Sequence, residues 1–203
     1  MLYFTDPRES RNAFMPQPVA PQLVTIRRAL AGDATQVMAV IEDGRRAIAA
    51  LGIDQWQHGY PNLHAIEEDI AEHRCYLAED LNGTVLGTAA LCPGRDRDYT
   101  AATAEGIAWL TDDSHDPVPY LSVHRCATSA AARRRGVMGL LLDRAKTMAR
   151  AEGLQSIRMD THPRNVRMRG FLARQGFVDL GPYHMVSHAE HADAIRIAYE
   201  LLL

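Results

Sequence analysis

The run Arg133-Arg134-Arg135-Gly136-Val137-Met138-Gly139 concentrates more potential chemistry than any other stretch of the chain. It joins a β-prone segment, Tyr120 to Thr128, to a helix-patterned one, Gly136 to Glu152, which Gly153 closes. A helix N-terminus leaves about four backbone N–H groups unpaired and carries the positive end of the helix dipole, so a glycine turn opening one can hold a diphosphate. The three arginines add charge-assisted donors suited to phosphate oxygens. No Gly-Lys-Ser/Thr follows, which excludes a Walker loop, and the Gly-x-Gly-x-x-Gly spacing of a dinucleotide turn is absent. His188 and His191 lie three apart but lack a clear third ligand, so no metal is expected. Cys75, Cys92 and Cys126 are odd in number and embedded in apolar runs, which suggests neither a disulfide framework nor a zinc knuckle.

The elements that must position this turn follow from periodicity. Residues 1–22 carry Pro7, Pro16, Pro18 and Pro21 without sustained period and read as an N-terminal tail, leaving residues 23–203 as a single domain. Leu23 to Arg28 is a short strand; Val37, Val40, Ile41, Ile48 and Leu51 fall at helical spacing behind Asp33, an expected N-cap, with Gly52 as C-cap. The loop Ile53 to Asn62 holds Trp56 and Tyr60, side chains large enough to bind something. A second helix spans about Leu63 to His73, and the runs Cys75–Ala78 and Thr84–Leu91 flank Asn82-Gly83, a type I′ hairpin signal. Glu105 to Leu110 forms an apolar island read as a further strand. After the helix following Gly136, with Leu140, Leu141, Ala145 and Met148 inward, come a strand at Ser156–Asp160, a helix at Asn165–Gln175, a strand opened by Gly176-Phe177-Val178, and a C-terminal strand in which Ile195, Ile197, Tyr199, Leu201 and Leu203 alternate with polar or small residues.

Composition narrows the partners. Net charge is −3 with a pI near 6.3, which gives no basic field for a nucleic acid. No apolar run approaches the roughly 18 residues of a membrane span, and the N-terminus lacks a basic region followed by an apolar core, so the expected location is the cytoplasm. Nearly all cations are arginine, Lys146 being the sole lysine.

Arg133-Arg134-Arg135-Gly136-Val137-Met138 resembles the Gln/Arg-x-x-Gly-x-Gly/Ala signature of GNAT N-acetyltransferases, and Asn165-x-x-Met168 with Gly176-Phe177 resembles the Asn-led helix and Gly-Phe that follow it in that family. The segments Gly52 to Gln57, Gly59 to Asn62, Val123-His124-Arg125 and Asp160-Thr161-His162 are similar to a bacterial GNAT subgroup whose members mostly lack an assigned substrate. The resemblance implies an α/β (α+β) fold, a mixed and mostly antiparallel sheet of about seven strands flanked by four helices. It also implies acetyl-CoA as co-substrate, no metal, and transfer of acetyl to an amine. The loop from Arg133 to Leu140, that is Arg133, Arg134, Arg135, Gly136, Val137, Met138, Gly139 and Leu140, would hold the CoA pyrophosphate, with Asn165 contributing to the cofactor site. Cys126, Ala127 and Thr128, at the end of a strand that splays from its neighbour, would pair with the pantetheine arm largely through the main chain. Two positions depart from the pattern: Met138 stands where the second Gly/Ala is expected, and Leu172 where many members carry the tyrosine that protonates the CoA thiolate.

Acetyl transfer needs a deprotonated amine held at near-attack distance. Strand parity places Ser122, His124, Cys126 and Thr128 on one face. The family's carboxylate base often lies near Ser122, which makes His124 the nearest titratable candidate, with an unperturbed pKa of about 6.5. Glu105, if its island is a neighbouring strand, is a second candidate. Trp56, Tyr60, Asp160 and His162 are the candidates for the acceptor site, Asp160 and His162 having capping of the Asn165 helix as an alternative. Three activities fit: a small-molecule amine acetyltransferase, a protein acetyltransferase acting on an N-terminus or lysine, and a non-catalytic acyl-CoA sensor. A rim of Glu105, Asp112, Asp113 and Asp160 would favour a cationic amine, and an exposed final strand would offer an edge for homodimerisation.

Overall fold

A computed structural model describes residues 23–187 and 194–203. The expected tail and the His188/His191 pair lie outside the described residues. The chain runs β1 (Val24–Arg28), α1 (Ala34–Ala49), α2 (Leu63–Ala71), β2 (Cys75–Asp80), β3 (Val85–Pro93), α3 (Arg97–Ala104), β4 (Tyr120–Thr128), α4 (Val137–Ala151), β5 (Ser156–Thr161), α5 (Val166–Arg174), β6 (Val178–His184) and β7 (Ile195–Leu202). The seven strands form one sheet in the order β1-β2-β3-β4-β5-β7-β6. Every pairing is antiparallel except β4 with β5. No described helix is long and apolar enough to cross a membrane.

Period-two alternation distributes the sheet's side chains to two layers. Along β2, Cys75 and Leu77 join Val37, Val40, Ile41 and Ile66 of α1 and α2, while Tyr76 and Ala78 join Leu141, Leu142, Ala145 and Met148 of α4 on the opposite face. α5 adds Leu172 to the α4 layer, and α3 contributes Tyr99 and Ala102 to a cluster with Tyr120, Tyr183 and Ala198. Within α4 the inward residue is Leu142 rather than the expected Leu140, which is 41% exposed.

Asp33 occupies the N-cap position of α1, yet its carboxylate accepts from the Leu30 N–H at 2.7 Å and pairs with Arg27 instead of capping the helix. The β2–β3 hairpin forms through Leu81, Asn82 and Gly83. The Asp80 N–H donates to the Thr84 carbonyl, the Gly83 N–H donates to the Asp80 carbonyl at 3.0 Å, and Gly83 alone in the turn has positive φ, 75°. That is a three-residue turn with an αL glycine, not the two-residue type I′ turn read from Asn-Gly.

Three other expectations change. Residues 105–110 are not a strand: the Leu110 N–H is taken by the Glu200 carboxylate, and the Trp109 indole donates to Thr103 Oγ1 at 3.0 Å. The stretch before it holds a fifth helix, α3, capped by Asp96, whose Oδ1 accepts from the N–H groups of Asp98 (2.8 Å) and Tyr99 (3.3 Å). The final strand β7 sits between β5 and β6 with both sides paired, so it offers no edge, and that ground for a homodimer is removed.

A buried ion network closes the sheet where β4 and β5 meet. The Arg158 guanidinium, wholly buried, lies 3.9 Å from the Tyr120 ring and 4.1 Å from that of Trp109, and donates to Glu200 (3.1 Å) and Asp113 (2.5 Å). Each buried charge is thereby compensated, the condition under which such groups are tolerated.

Candidate active site

β4 and β5 pair for only three residues, Tyr120–Ser122 against Ser156–Arg158. Beyond Ser122 the two strands run on to Thr128 and Thr161 without pairing, so β4 presents on its β5 side main-chain groups with no strand partner. The divergence opens a cleft of about 440 Å³, lined from both strands and from the loops around Trp56 and Arg95.

A bulge in β4 shapes this wall. Thr88 pairs with Ala127 and Ala90 with His124, so Ala89 alone opposes Arg125 and Cys126, and Arg125 adopts φ 49°. The conformation is held from outside the strand: Arg125 donates through Nε and Nη2 to the two oxygens of Asp69, which is 2% exposed, and through Nη1 to Tyr60 Oη at 2.7 Å. The bulge also breaks the parity read from sequence. Ser122 and His124 share the α3 face, but past the bulge Ala127 packs into the α1 layer and Cys126 against the α4 layer. Burial pushes the Cys126 thiol up to about 12, which makes it unreactive.

His124 Nε2 lies 2.7 Å from Asp96 Oδ2, while the other oxygen of Asp96 caps α3 and its N–H donates to Tyr120 Oη at 2.9 Å. One loop residue therefore anchors both a helix start and the imidazole. Burial alone would lower the pKa of His124; the Asp96 hydrogen bond, with the charges of Asp96 and Asp160, outweighs it and leaves the pKa raised above 6.5. Asp96 moves the other way: burial would raise it, but the His124 hydrogen bond and charge bring it below 3.8. Asp160, on β5 across the cleft, accepts from Tyr99 Oη at 3.2 Å and lies 3.8 Å from Arg196 Nε. Its pKa is raised, by burial first, against the lowering charges of His124 and Arg196.

Of the acceptor candidates, Trp56, Tyr60 and Asp160 line the cleft, and His162 does not. His162 is 3% exposed, and its Nδ1 accepts from the Arg164 N–H at 3.0 Å, holding the turn into α5. Trp56, at φ 71°, also packs on α1, where a Cβ on Gly44 would come within 3.2 Å of its ring. Glu105 lies at the C-terminus of α3, accepts from the His184 N–H at 3.1 Å and is absent from the cleft wall; without a strand at 105–110 it has no route to β4. Asp112 and Asp113 are engaged elsewhere, by Ser114 and Arg158, so Asp160 is the one member of the expected acidic rim on the cleft.

The arginine–glycine turn lies past the end of β4 and outside the cleft wall. Arg134 (φ 66°) and Gly136 (φ 78°) take left-handed conformations, Arg133, Arg134 and Arg135 are exposed, and α4 begins at Val137. The Leu140 N–H donates to the Gly136 carbonyl, so the N–H groups of Val137, Met138 and Gly139 precede the first turn of helical bonds. Met138 is half-buried and packs against the core layer to which α4 contributes. Gly87 lets α4 come close: a Cβ there would lie 2.7 Å from Val137 Cγ1.

Asn165 lines the cleft, but its amide is spent locally, accepting from the Met168 N–H at 3.2 Å and donating to Thr161 Oγ1 at 3.1 Å. Asn165→Ala should therefore cost about 1 kcal/mol of stability, seen in thermal unfolding as a fall of roughly 2–4 °C. Among the described residues no three His, Cys, Asp or Glu side chains gather as a metal site.

Asp96, Asp69 and Arg125 were not singled out as site residues from sequence. An N-cap signal, Asp96 followed by Asp98 in the first turn of a short helix, was available for the first of them.

Comparison with known proteins finds relatives that share this fold. A family model described as acetyltransferase (GNAT) family matches residues 45–177. A GNAT-family acetyltransferase structure from Streptococcus agalactiae is 30% identical, with a TM-score of 0.66 over 89% of this chain and 95% of that one. One from Listeria monocytogenes is 20% identical, with a TM-score of 0.64 over 89% and 95%. The PaiA N-acetyltransferase from Thermoplasma acidophilum, in complex with coenzyme A, is 12% identical, with a TM-score of 0.63 over 89% and 99%. The latter two likenesses are of fold. No curated protein sequence matches significantly.

Proposed function

Since the chain belongs to the GNAT acetyltransferase family, we propose that it moves an acetyl group from acetyl-CoA to a primary amine by direct attack within a ternary complex. The observation that carries this reading is the alignment of three features along β4: a left-handed glycine turn at the start of α4, a strand edge without a partner, and a half-buried His–Asp pair in the cleft. The turn from Arg133 to Leu140 would receive the pyrophosphate on the N–H groups of Val137 to Gly139, with the exposed arginines closing on its oxygens. The pantetheine arm would lie along the open edge of β4 past Ser122, and the bulge at Arg125 and Cys126 would aim main-chain donors at the thioester carbonyl. The bound CoA supplies the activated acyl carbon; the protein's part is positioning and proton removal.

His124 takes the proton. Its Nε2 is tied to Asp96, so Nδ1 is the nitrogen free to accept from the amine, and the pair stabilises the imidazolium that results. The amine nitrogen forms the new C–N bond as the C–S bond breaks, the amine proton passes to His124, and the thiolate leaves. Leu172, at the position where the resemblance looks for an acid, is wholly buried in the α4 layer, so α5 offers no side-chain proton and the thiolate is protonated by water. The unpaired cysteines fit a reducing compartment, and we place the reaction in the cytoplasm.

Release of free thiol from acetyl-CoA, followed over a panel of small amines and of peptides with free N-termini or lysines, tests the reading. Turnover of small amines supports it, and turnover of peptides alone would shift it to protein acetylation. Acetyl-CoA binding without turnover of any amine would reduce the protein to an acyl-CoA sensor.

A further inference from the structure

The inner end of the cleft holds a polar group that nothing in the mechanism uses. Ser122 is 1% exposed, lines the cleft, and its Oγ has no hydrogen-bond partner among the described residues. A buried hydroxyl with no partner is costly, so one at a cleft wall points to a group that arrives with the ligand. It lies two residues before His124 on the same strand face, about 6.6 Å along the strand. Across the cleft Asp160 lies on β5 two residues beyond Arg158, the register partner of Ser122, and lines the same cleft.

Resting on the amine-acetyltransferase reading, we propose that Ser122 and Asp160 form an acceptor subsite for a neutral hydroxyl, and that the acceptor is a small amino alcohol. The hydroxyl accepts from Ser122 Oγ and donates to Asp160, while the amine reaches His124. Charge sets the choice between a hydroxyl and a second cation. His124 and Arg196 each face one carboxylate, Asp96 and Asp160 respectively. With His124 neutral and ready to accept a proton, this group is one cation short, which one ammonium supplies on binding; that ammonium gives up its first proton to water through His124 before the neutral amine attacks. Of the other carboxylates that line the cleft, Asp98 is spent on the Ser187 hydroxyl and the Val186 and Ser187 N–H groups and Asp54 on His58, so a diamine's second ammonium would meet no carboxylate that is not already engaged, and burying an uncompensated charge is strongly unfavourable. Size agrees: about 440 Å³ must take the acetyl end of the co-substrate as well as the acceptor, which favours a compact molecule.

Calorimetric titration of 3-aminopropan-1-ol, n-butylamine and 1,3-diaminopropane into the protein, with and without saturating CoA, reads the subsite independently of turnover. The amino alcohol should bind roughly 10- to 100-fold more tightly than butylamine, the effect of pairing one buried polar group, and more tightly than the diamine. Ser122→Ala should shrink the preference for the amino alcohol over butylamine by about tenfold or more, with acetyl-CoA affinity serving as the check that the fold is intact. Equal binding of amino alcohol and butylamine by the native protein, or a preference unchanged in Ser122→Ala, would overturn the subsite. So would tighter binding of the diamine. Selective binding of the amino alcohol without thiol release would keep the subsite and remove the transferase reading, so the two fail separately.

Discussion

Gly136→Val is expected to weaken acetyl-CoA binding by at least about 100-fold in a protein that still folds. Nothing lies within 4 Å of the position a Cβ would take, so the effect is not a clash with neighbours. It comes from the backbone: φ is 78°, and a β-branched residue pays roughly 1–2 kcal/mol to remain in the left-handed region. The chain relieves that strain by rotating the turn, which re-aims the N–H groups of Val137, Met138 and Gly139. A site made of several main-chain donors converging on one pyrophosphate loses them together. The fold has less at stake, since Gly136 is exposed and the α4 core begins at Val137. Thermal unfolding should fall by only about 2–8 °C. An unfolding profile like the native one together with undiminished acetyl-CoA affinity would show that the turn is not the anchor.

The second large effect concerns the His124–Asp96 pair. His124→Ala should lower kcat by about 10²–10⁴, the usual contribution of a positioned base, while leaving acetyl-CoA affinity in place. Asp96→Asn is the more informative variant, because asparagine caps a helix as well as aspartate does, so α3 should persist while the charge beside the imidazole is lost. In the native protein, kcat/KM should rise with pH through a value above 6.5, as His124 gives up its proton. In Asp96→Asn that rise should move to lower pH and the plateau should fall, whereas a purely structural role for Asp96 would leave the midpoint unmoved.

Stability follows the same groups. The raised pKa of His124 means that its contribution is fully present below about 6.5 and is lost as pH rises through the folded value. The lowered pKa of Asp96 means that its contribution is present above 3.8 and is lost as pH falls through the folded value. Glu105→Gln, by contrast, touches a carboxylate remote from the cleft and should leave turnover unchanged.

What could be read from sequence divides along the range of the interactions. The helix opened by Gly136, the amphipathic α1, and the alternating C-terminal strand are written in contiguous residues, and each forms as expected. The bulge could not be read that way. It depends on Arg125 reaching Asp69, 56 residues earlier, and without it a parity count carries Cys126 to the wrong face. The partner of His124 was missed for a related reason: Asp96 lies 28 residues upstream at the head of a helix of eight residues with a weak apolar stripe. Glu105 was misplaced because Ile107, Trp109 and Leu110 look like a strand, when Trp109 in fact covers the Arg158 guanidinium and the Leu110 main chain is satisfied by a carboxylate from β7. The position of β7 inside the sheet depends on strand order, which no local pattern encodes.

The central claim, that the chain binds acetyl-CoA through the turn before α4, is met most directly by calorimetric titration of the purified protein with acetyl-CoA, and in parallel with NAD and ATP. Saturable one-to-one binding of acetyl-CoA, with NAD and ATP much weaker, is the expected result. No binding of acetyl-CoA, or binding no tighter than that of ATP, would contradict it and would remove the enzymatic reading with it.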